Sequence, residues 1–226
     1  MTPFTRLQGR AAPLMRANID TDAIIPSREM RSVGKTGLGV SLFANWRYAE
    51  HREAHRDEHR EAHREAHREE RPDFVLNQAP FRNATILLAG ENFGCGSSRE
   101  GAVWALTDYG IRAIVAPSFG SIFRANCIRN GLLPVVLPAS IVDRLAAQME
   151  AAAGEIAIDL TACTVTDALG QCYPFALPPL QRDMLLAGLD SIGLALRRAT
   201  EIDAFHDTLK GKQPWLFSGF CTDKST

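Results

Sequence analysis

The sequence predicts an α/β fold built on parallel β-α-β units, and two observations predict it. Short apolar runs at 85–89, 111–116 and 133–137 have the length and composition of buried strands. The segments between them, 99–109 and 119–129, read as helices. Strands that alternate with helices lie parallel, because each helix returns the chain across the sheet.

Ahead of this core, Asn18-Ile19-Asp20-Thr21-Asp22 reads as a polar turn and Ala23-Ile24-Ile25-Pro26 as a short apolar step closed by proline. Residues 27–37 read as a loop broken by Gly34 and Gly37. Leu38 to Tyr48 has the spacing of a short helix with Leu42, Phe43 and Trp46 on one face. Beyond the core, the Ala-rich segment 139–153 is expected to be helical, and 155–176 to form short strands with Gly170 in a turn. Residues 179–210 read as helical, with Leu185, Leu186, Leu189, Ile192, Leu194 and Leu196 mostly facing the core. The expected organisation is one domain over 1–210 and a loosely held tail over 211–226.

Residues 51–70 interrupt that domain. They are five tetrads of the His-Arg-Glu-Ala type, with His51, His55, His59, His63 and His67 four residues apart and no large apolar side chain. Such a tract cannot build a core, so it reads as a surface insertion, helical or frayed, ended by Pro72. Adjacent pairs such as His51 and His55 could hold Zn²⁺ or Ni²⁺ if helical, and a solvated spacer is the plainer reading.

Composition excludes several classes. A formal net charge of -1 over 226 residues gives no footprint for nucleic acid or an anionic membrane. No signal-peptide pattern and no apolar stretch of about 20 residues is present, so a cytoplasmic location is expected. Five cysteines, none as Cys-x-x-Cys, suit neither a disulfide framework nor a metal or iron–sulfur centre held by this chain.

The segment Gly90 to Glu100 follows a strand and opens a helix. Gly94 and Gly96 permit a tight backbone of close approach. Ser97 or Ser98 suits the helix cap, and Glu100 suits the positive helix end. Backbone N–H groups there favour an anion, and Arg99 adds a planar fork matched to a carboxylate. A serine hydroxyl in this field can act as a base if a partner supplies an electrophile, while a plain helix cap fits the same residues. A phosphate loop and a nucleophile elbow are excluded by residue order. Cys95 reads as a small, partly buried residue rather than a nucleophile, and His206 as structural or exposed.

Asn92 to Glu100 (Asn-Phe-Gly-Cys-Gly-Ser-Ser-Arg-Glu) resembles the active-site loop of the swivelling β/β/α domain in the aconitase superfamily. Asn18 to Pro26, Asn45-Trp46-Arg47-Tyr48, Pro72 to Asn77, Ile114 to Phe119, Asn130 to Pro134 and Gly188 to Leu194 resemble motifs of isopropylmalate dehydratase small subunits in the same order. The resemblance spans nearly the whole chain apart from the tract and the last residues.

It implies a chain that holds no cofactor itself and docks, as a heterodimer or higher hetero-oligomer, on a large subunit bearing a [4Fe-4S] cluster. There a cluster iron acts as a Lewis acid on the substrate. By the same resemblance Ser97 is the base, Ser98 hydrogen-bonds the substrate, Arg99 binds a carboxylate, and Gly96 lies in the substrate loop. The reaction implied is dehydration of 2-isopropylmalate and rehydration to 3-isopropylmalate, a step of leucine biosynthesis. Related subunits act on homoaconitate or on 2-methylmalate and citraconate, and a non-catalytic interaction or metal-binding module is the remaining alternative. In the family the loop at 27–32 helps select the substrate; Met30 is either an apolar contact for an isopropyl group or a solvent-facing residue. Two features depart from the family: Gly101 stands where histidine is usual, and the tract replaces a short loop.

Overall fold

The computed structural model describes residues 1–30, 34–49, 68–151 and 154–217. Its contacts form two compact units, Met1–Gly188 and Leu189–Thr226.

In the first unit, β2 (Ala11–Leu14), β3 (Ile86–Ala89), β4 (Ala113–Ala116) and β5 (Leu133–Val136) form a parallel sheet in that order. Ala11 pairs with Ile86, Ile86 with Ala113, and Ala113 with Leu133. Every residue of β3 and β4 is buried, which is why these strands are continuous apolar runs. Helices α3 (Gly101–Tyr109) and α4 (Ser121–Asn130) make the crossovers, and α5 (Ala139–Ala151) packs on β2, β3 and β4. The parallel core expected from the sequence is therefore present, with α3, α4 and β4 each starting two residues late.

The sequence reading did not find β1 (Arg6–Gly9) or β2. Pro13 argues against a strand, but β2 is a sheet edge, where a missing N–H is tolerated. β1 joins β6 (Ile156–Asp159), β7 (Thr164–Thr166) and β8 (Cys172–Pro174) in an antiparallel sheet. Gly170 lies in the turn between β7 and β8, as expected, with φ +83°.

The expected helix over 38–48 is replaced by a 3-10 turn, Gly39–Ser41, and a short α2, Ala44–Arg47. Phe43 breaks it with φ +51°, which turns its ring onto Trp46 (5.7 Å) and Phe74 (5.8 Å) in the core. The polar turn at 18–22 instead opens α1 (Thr21–Ile24), with the Asp20 carboxylate accepting from Ala23 N–H at 2.7 Å.

The chain flanking the repeated tract is closed by its own backbone. Ala49 N–H donates to Glu69 O and Arg71 N–H to Arg47 O, both at 2.9 Å. Buried Arg47 and Asn77 reinforce this base: Arg47 Nε donates to Asn77 Oδ1 (2.9 Å), and Asn77 Nδ2 donates to the carbonyls of Arg47 (2.7 Å) and Arg71 (2.9 Å). The motifs around Arg47 and Asn77 thus hold the insertion's two ends together. The expected conformation and metal pairs of residues 51–67 lie outside the described residues.

In α6 (Pro179–Ala187), Leu185 is buried as expected. In the second unit, α7 (Ser191–Leu196) and α8 (Ala199–Lys212) are helical, but Ile192 and Leu196 are 67% and 68% exposed, against the expectation that they face the core. Helical spacing aligns residues on a face; it does not supply an element to cover that face.

Asp167 ties the antiparallel sheet to α5. Its carboxylate, 5% exposed, accepts from Gln148 Nε2 (2.9 Å), Tyr173 OH (3.1 Å), Leu169 N–H (3.0 Å) and Gln171 N–H (2.8 Å). Burial works to raise its pKa, but these donors outweigh it and hold the carboxyl below its ordinary 3.8. A depressed folded pKa stabilises fully above the unfolded value and is lost as pH falls through the folded one. Asp167→Asn should therefore cost about 1–3 kcal/mol at pH 7 and flatten the decline in stability below about pH 4, measured by urea denaturation across pH. Equal stability of the two proteins at pH 7 would contradict this role.

Candidate active site

Three neighbouring strands of the parallel sheet do not stop interacting where their ladders end. Past the carboxyl ends of β2, β3 and β4, Asp20 bridges Cys95 and Phe93 bridges Phe119, both in parallel sense. Gly94 N–H donates to Ile19 O (2.7 Å), Thr21 N–H to Cys95 O (3.0 Å), Phe93 N–H to Ser118 O (3.1 Å) and Gly120 N–H to Phe93 O (2.9 Å). The loop 90–100 is thus held between two neighbouring segments at the carboxyl edge of a parallel sheet, where open α/β folds bind ligands.

This clamping requires glycine at 94. Its φ is +73°, and a Cβ would lie 2.1 Å from Cγ of Phe123. Phe123 is buried and packs edge-on to Phe93, with centroids 5.4 Å apart. The loop backbone therefore rests directly on an aromatic cluster.

Gly96, also at positive φ (+89°), leads into exposed Ser97 and Ser98. Neither serine caps α3, contrary to the sequence reading: the cap position is Glu100, with no side-chain cap hydrogen bond. Glu100 Oε1 instead accepts from Asn130 Nδ2 at 2.6 Å. Ser97 Oγ lies 3.0 Å from Oγ1 of Thr21, a buried threonine at the start of α1. The Ser98 carbonyl accepts from Asn126 Nδ2 of α4 at 3.4 Å. The loop's backbone is held while both serines remain exposed, the Ser97 hydroxyl against that of Thr21.

Arg99 pairs with Asp22, whose Oδ1 also accepts from Ser27 Oγ (3.0 Å). The Arg99 hydrogen bond holds the Asp22 carboxyl below its ordinary value, and in return Asp22 holds Arg99 above its own. Arg99 is thus a fixed cation beside Ser97, and its partner is an exposed carboxylate that an incoming anion could displace.

Met30 is half-buried and ends the 3-10 turn Ser27–Glu29. Its thioether reaches the first turn of α3 at Gly101. The expected residues Gly96, Ser97, Ser98 and Arg99 therefore share one loop, and Met30 approaches the helix that this loop opens. Arg31 and Ser32 of the same expected loop lie outside the described residues. Thr21 and Asp22, partners of Ser97 and Arg99, were not assigned roles from the sequence. Their signal was the run of polar residues ahead of Ala23-Ile24-Ile25-Pro26, more than seventy residues from the loop they touch. Cys95 is half-buried, and Thr21 N–H binds its backbone carbonyl. His206 is exposed.

The loop brings together two exposed serines and a guanidinium, which suit a carboxylate. Among the described residues, no three His, Cys, Asp or Glu side chains gather to hold a metal ion, and no helix is long and apolar enough to cross a membrane.

Gly94→Ala should cost about 3 kcal/mol, from a left-handed backbone and the displacement of Phe123. At this chain length that lowers the thermal midpoint by roughly 6–12 °C, read by calorimetry. An unchanged midpoint would mean the loop does not rest on the aromatic cluster.

Comparison with known proteins fits this geometry. The family model of the aconitase C-terminal domain matches residues 1–140. A 3-isopropylmalate dehydratase small subunit of Cupriavidus necator is 52% identical over 218 residues, covering 96% of this chain and 98% of the relative. The small subunit of Rhodospirillum centenum is 47% identical over 216 residues, covering 95% and 98%. A crystal structure of 3-isopropylmalate dehydratase from Methanocaldococcus jannaschii superposes with a TM-score of 0.61 at 27% identity, covering 88% of this chain and 99% of that one. The chain belongs to the aconitase C-terminal domain family, among its 3-isopropylmalate dehydratase small subunits.

Proposed function

We propose that this chain is the base-bearing subunit of a cytoplasmic hydro-lyase that interconverts 2-isopropylmalate and 3-isopropylmalate through 2-isopropylmaleate, in complex with a large subunit. The observation that carries the reading is the clamped loop at the sheet's carboxyl edge, with Ser97 Oγ 3.0 Å from Thr21 Oγ1 and Arg99 fixed by Asp22.

The residues present suit a dicarboxylate. Arg99 exchanges Asp22 for a substrate carboxylate, a swap of one charge-assisted pair for another that needs little rearrangement. Ser98 and the backbone around Gly96 hydrogen-bond the substrate and fix its reacting carbon against Ser97. Met30 offers the alkyl group an apolar, adaptable surface. A [4Fe-4S] cluster on the large subunit supplies Lewis acidity toward the substrate's hydroxyl and carboxylate.

In the dehydration of 2-isopropylmalate, Ser97 takes a proton from the methylene carbon. The electrons of that C–H bond form the double bond, and hydroxide leaves the carbon that carries the isopropyl group. Addition with the two positions exchanged, the proton now returning from Ser97 to the isopropyl-bearing carbon, gives 3-isopropylmalate. Serine is a weak base in water. Here the positive end of α3 and the Arg99 guanidinium stabilise its alkoxide. The Thr21 hydroxyl can donate to the same oxygen.

The test is anaerobic co-expression with the cluster-bearing large subunit, following 2-isopropylmaleate formed from 3-isopropylmalate. Turnover should need both chains, and Ser97→Ala should lose about 10²–10⁴-fold in kcat, the range of general-base catalysis. Full activity of Ser97→Ala would overturn its role as the base; absence of any complex with the large subunit would overturn the subunit reading.

A further inference from the structure

Gly101 is the first residue of α3, two positions after Arg99. Its backbone does not need glycine, since it is an ordinary helical residue, absent from the positive-φ positions. Glycine in a helix interior is less favourable than alanine by about 1 kcal/mol. What glycine does give here is space. A Cβ at 101 would lie 2.5 Å from Sδ and 3.7 Å from Cγ of Met30, and these are the contacts it would meet within 4 Å. The Met30 thioether therefore fills the volume that any side chain at 101 would occupy.

The turn that ends at Met30 is also anchored through its neighbour. Glu29, its neighbour, accepts from Ser41 Oγ (2.9 Å) and from Arg68 Nη2 (2.7 Å). Burial raises the Glu29 pKa, but the Arg68 and Ser41 hydrogen bonds outweigh it, so the carboxyl sits below its ordinary value and stays charged. Met30 N–H donates to Ser27 O (3.2 Å), and the Ser27 hydroxyl shares Asp22 with Arg99. One short turn therefore touches the partner of Arg99 at its start and the opening of α3 at its end.

We propose that Gly101 is a specificity-positioning residue: by carrying no side chain it seats Met30 against the first turn of α3, and the seated thioether forms the apolar wall that receives the substrate's branched alkyl group. The inference rests on the function proposed above and deepens it. A side chain at 101 pushes the flexible thioether out of its seat while leaving Ser97 and Arg99 in place, so the loss falls on recognition of the alkyl group.

The experiment compares wild type, Gly101→Ala, Met30→Ala and the double variant, each in the complex with the large subunit, using 3-isopropylmalate and the methyl-substituted analogue. In Gly101→Ala the ratio of kcat/KM for isopropyl over methyl substrate should fall about tenfold, the scale of one or two methylene contacts, mainly through KM. The double variant should fall no further than Met30→Ala alone. In parallel, methyl-¹³C-methionine NMR of the full chain, with Met30 assigned through Met30→Leu, should show the Met30 signal displaced in Gly101→Ala. Equal losses on both substrates, additive effects of the two substitutions, or an unmoved Met30 methyl would each overturn the proposal. If the wild-type complex turns over neither malate, the functional reading fails, and the NMR still decides whether Gly101 seats Met30.

Discussion

The close approach of three backbone segments beyond the carboxyl ends of the parallel strands is the constraint on which the site depends. Segments 18–21, 92–96 and 118–120 continue to pair after the ladders end, through Asp20 with Cys95 and Phe93 with Phe119. That continuation is possible because residue 94 has no side chain: Phe123 fills the space below it. The carbonyl of Gly94 would similarly lie 2.5 Å from a Cβ at Gly120. With its backbone pinned on both sides, the loop cannot collapse onto the sheet. The serines that follow it stay exposed, and Arg99 is set by a carboxylate from the neighbouring segment.

A division of labour among polar residues follows from burial. Arg47, Asn77, Asn126 and Asp167 are buried and hydrogen-bonded, and each joins segments distant in sequence. They hold structure, because a buried polar group left without its partner is costly. Ser97, Ser98 and Asp22 are exposed, so their partners can be exchanged at low cost, which is the property a ligand site needs. Arg68, in the last repeat of the tract, sits between these classes: it anchors Glu29 and so links the insertion to the turn that carries Met30.

What was legible in the sequence follows the range of the interactions that decide it. Strands β3, β4 and β5 and the helices between them are set by local apolar pattern, so they could be read directly. β1 could not, because its pairing partner β6 lies about 150 residues away and its own four residues carry little apolar signal. The helix expected over 38–48 failed at Phe43, where burying a ring against Phe74 outweighs helical continuity. Burial of Ile192 and Leu196 failed because periodicity does not name the surface that covers a face. Within the site, the loop residues were legible through glycine and serine chemistry and through resemblance. Thr21, Asp22 and the seat of Met30 were not, since each depends on contacts with residues seventy or more positions away.

The most direct measurement is a crystal structure of the two-subunit complex with 2-isopropylmaleate bound. The geometry described here predicts Ser97 Oγ about 3–3.5 Å from the carbon that exchanges the proton, with Arg99 turned from Asp22 to a substrate carboxylate. A structure in which Ser97 remains turned toward Thr21, away from the bound molecule, and another side chain faces that carbon would contradict it.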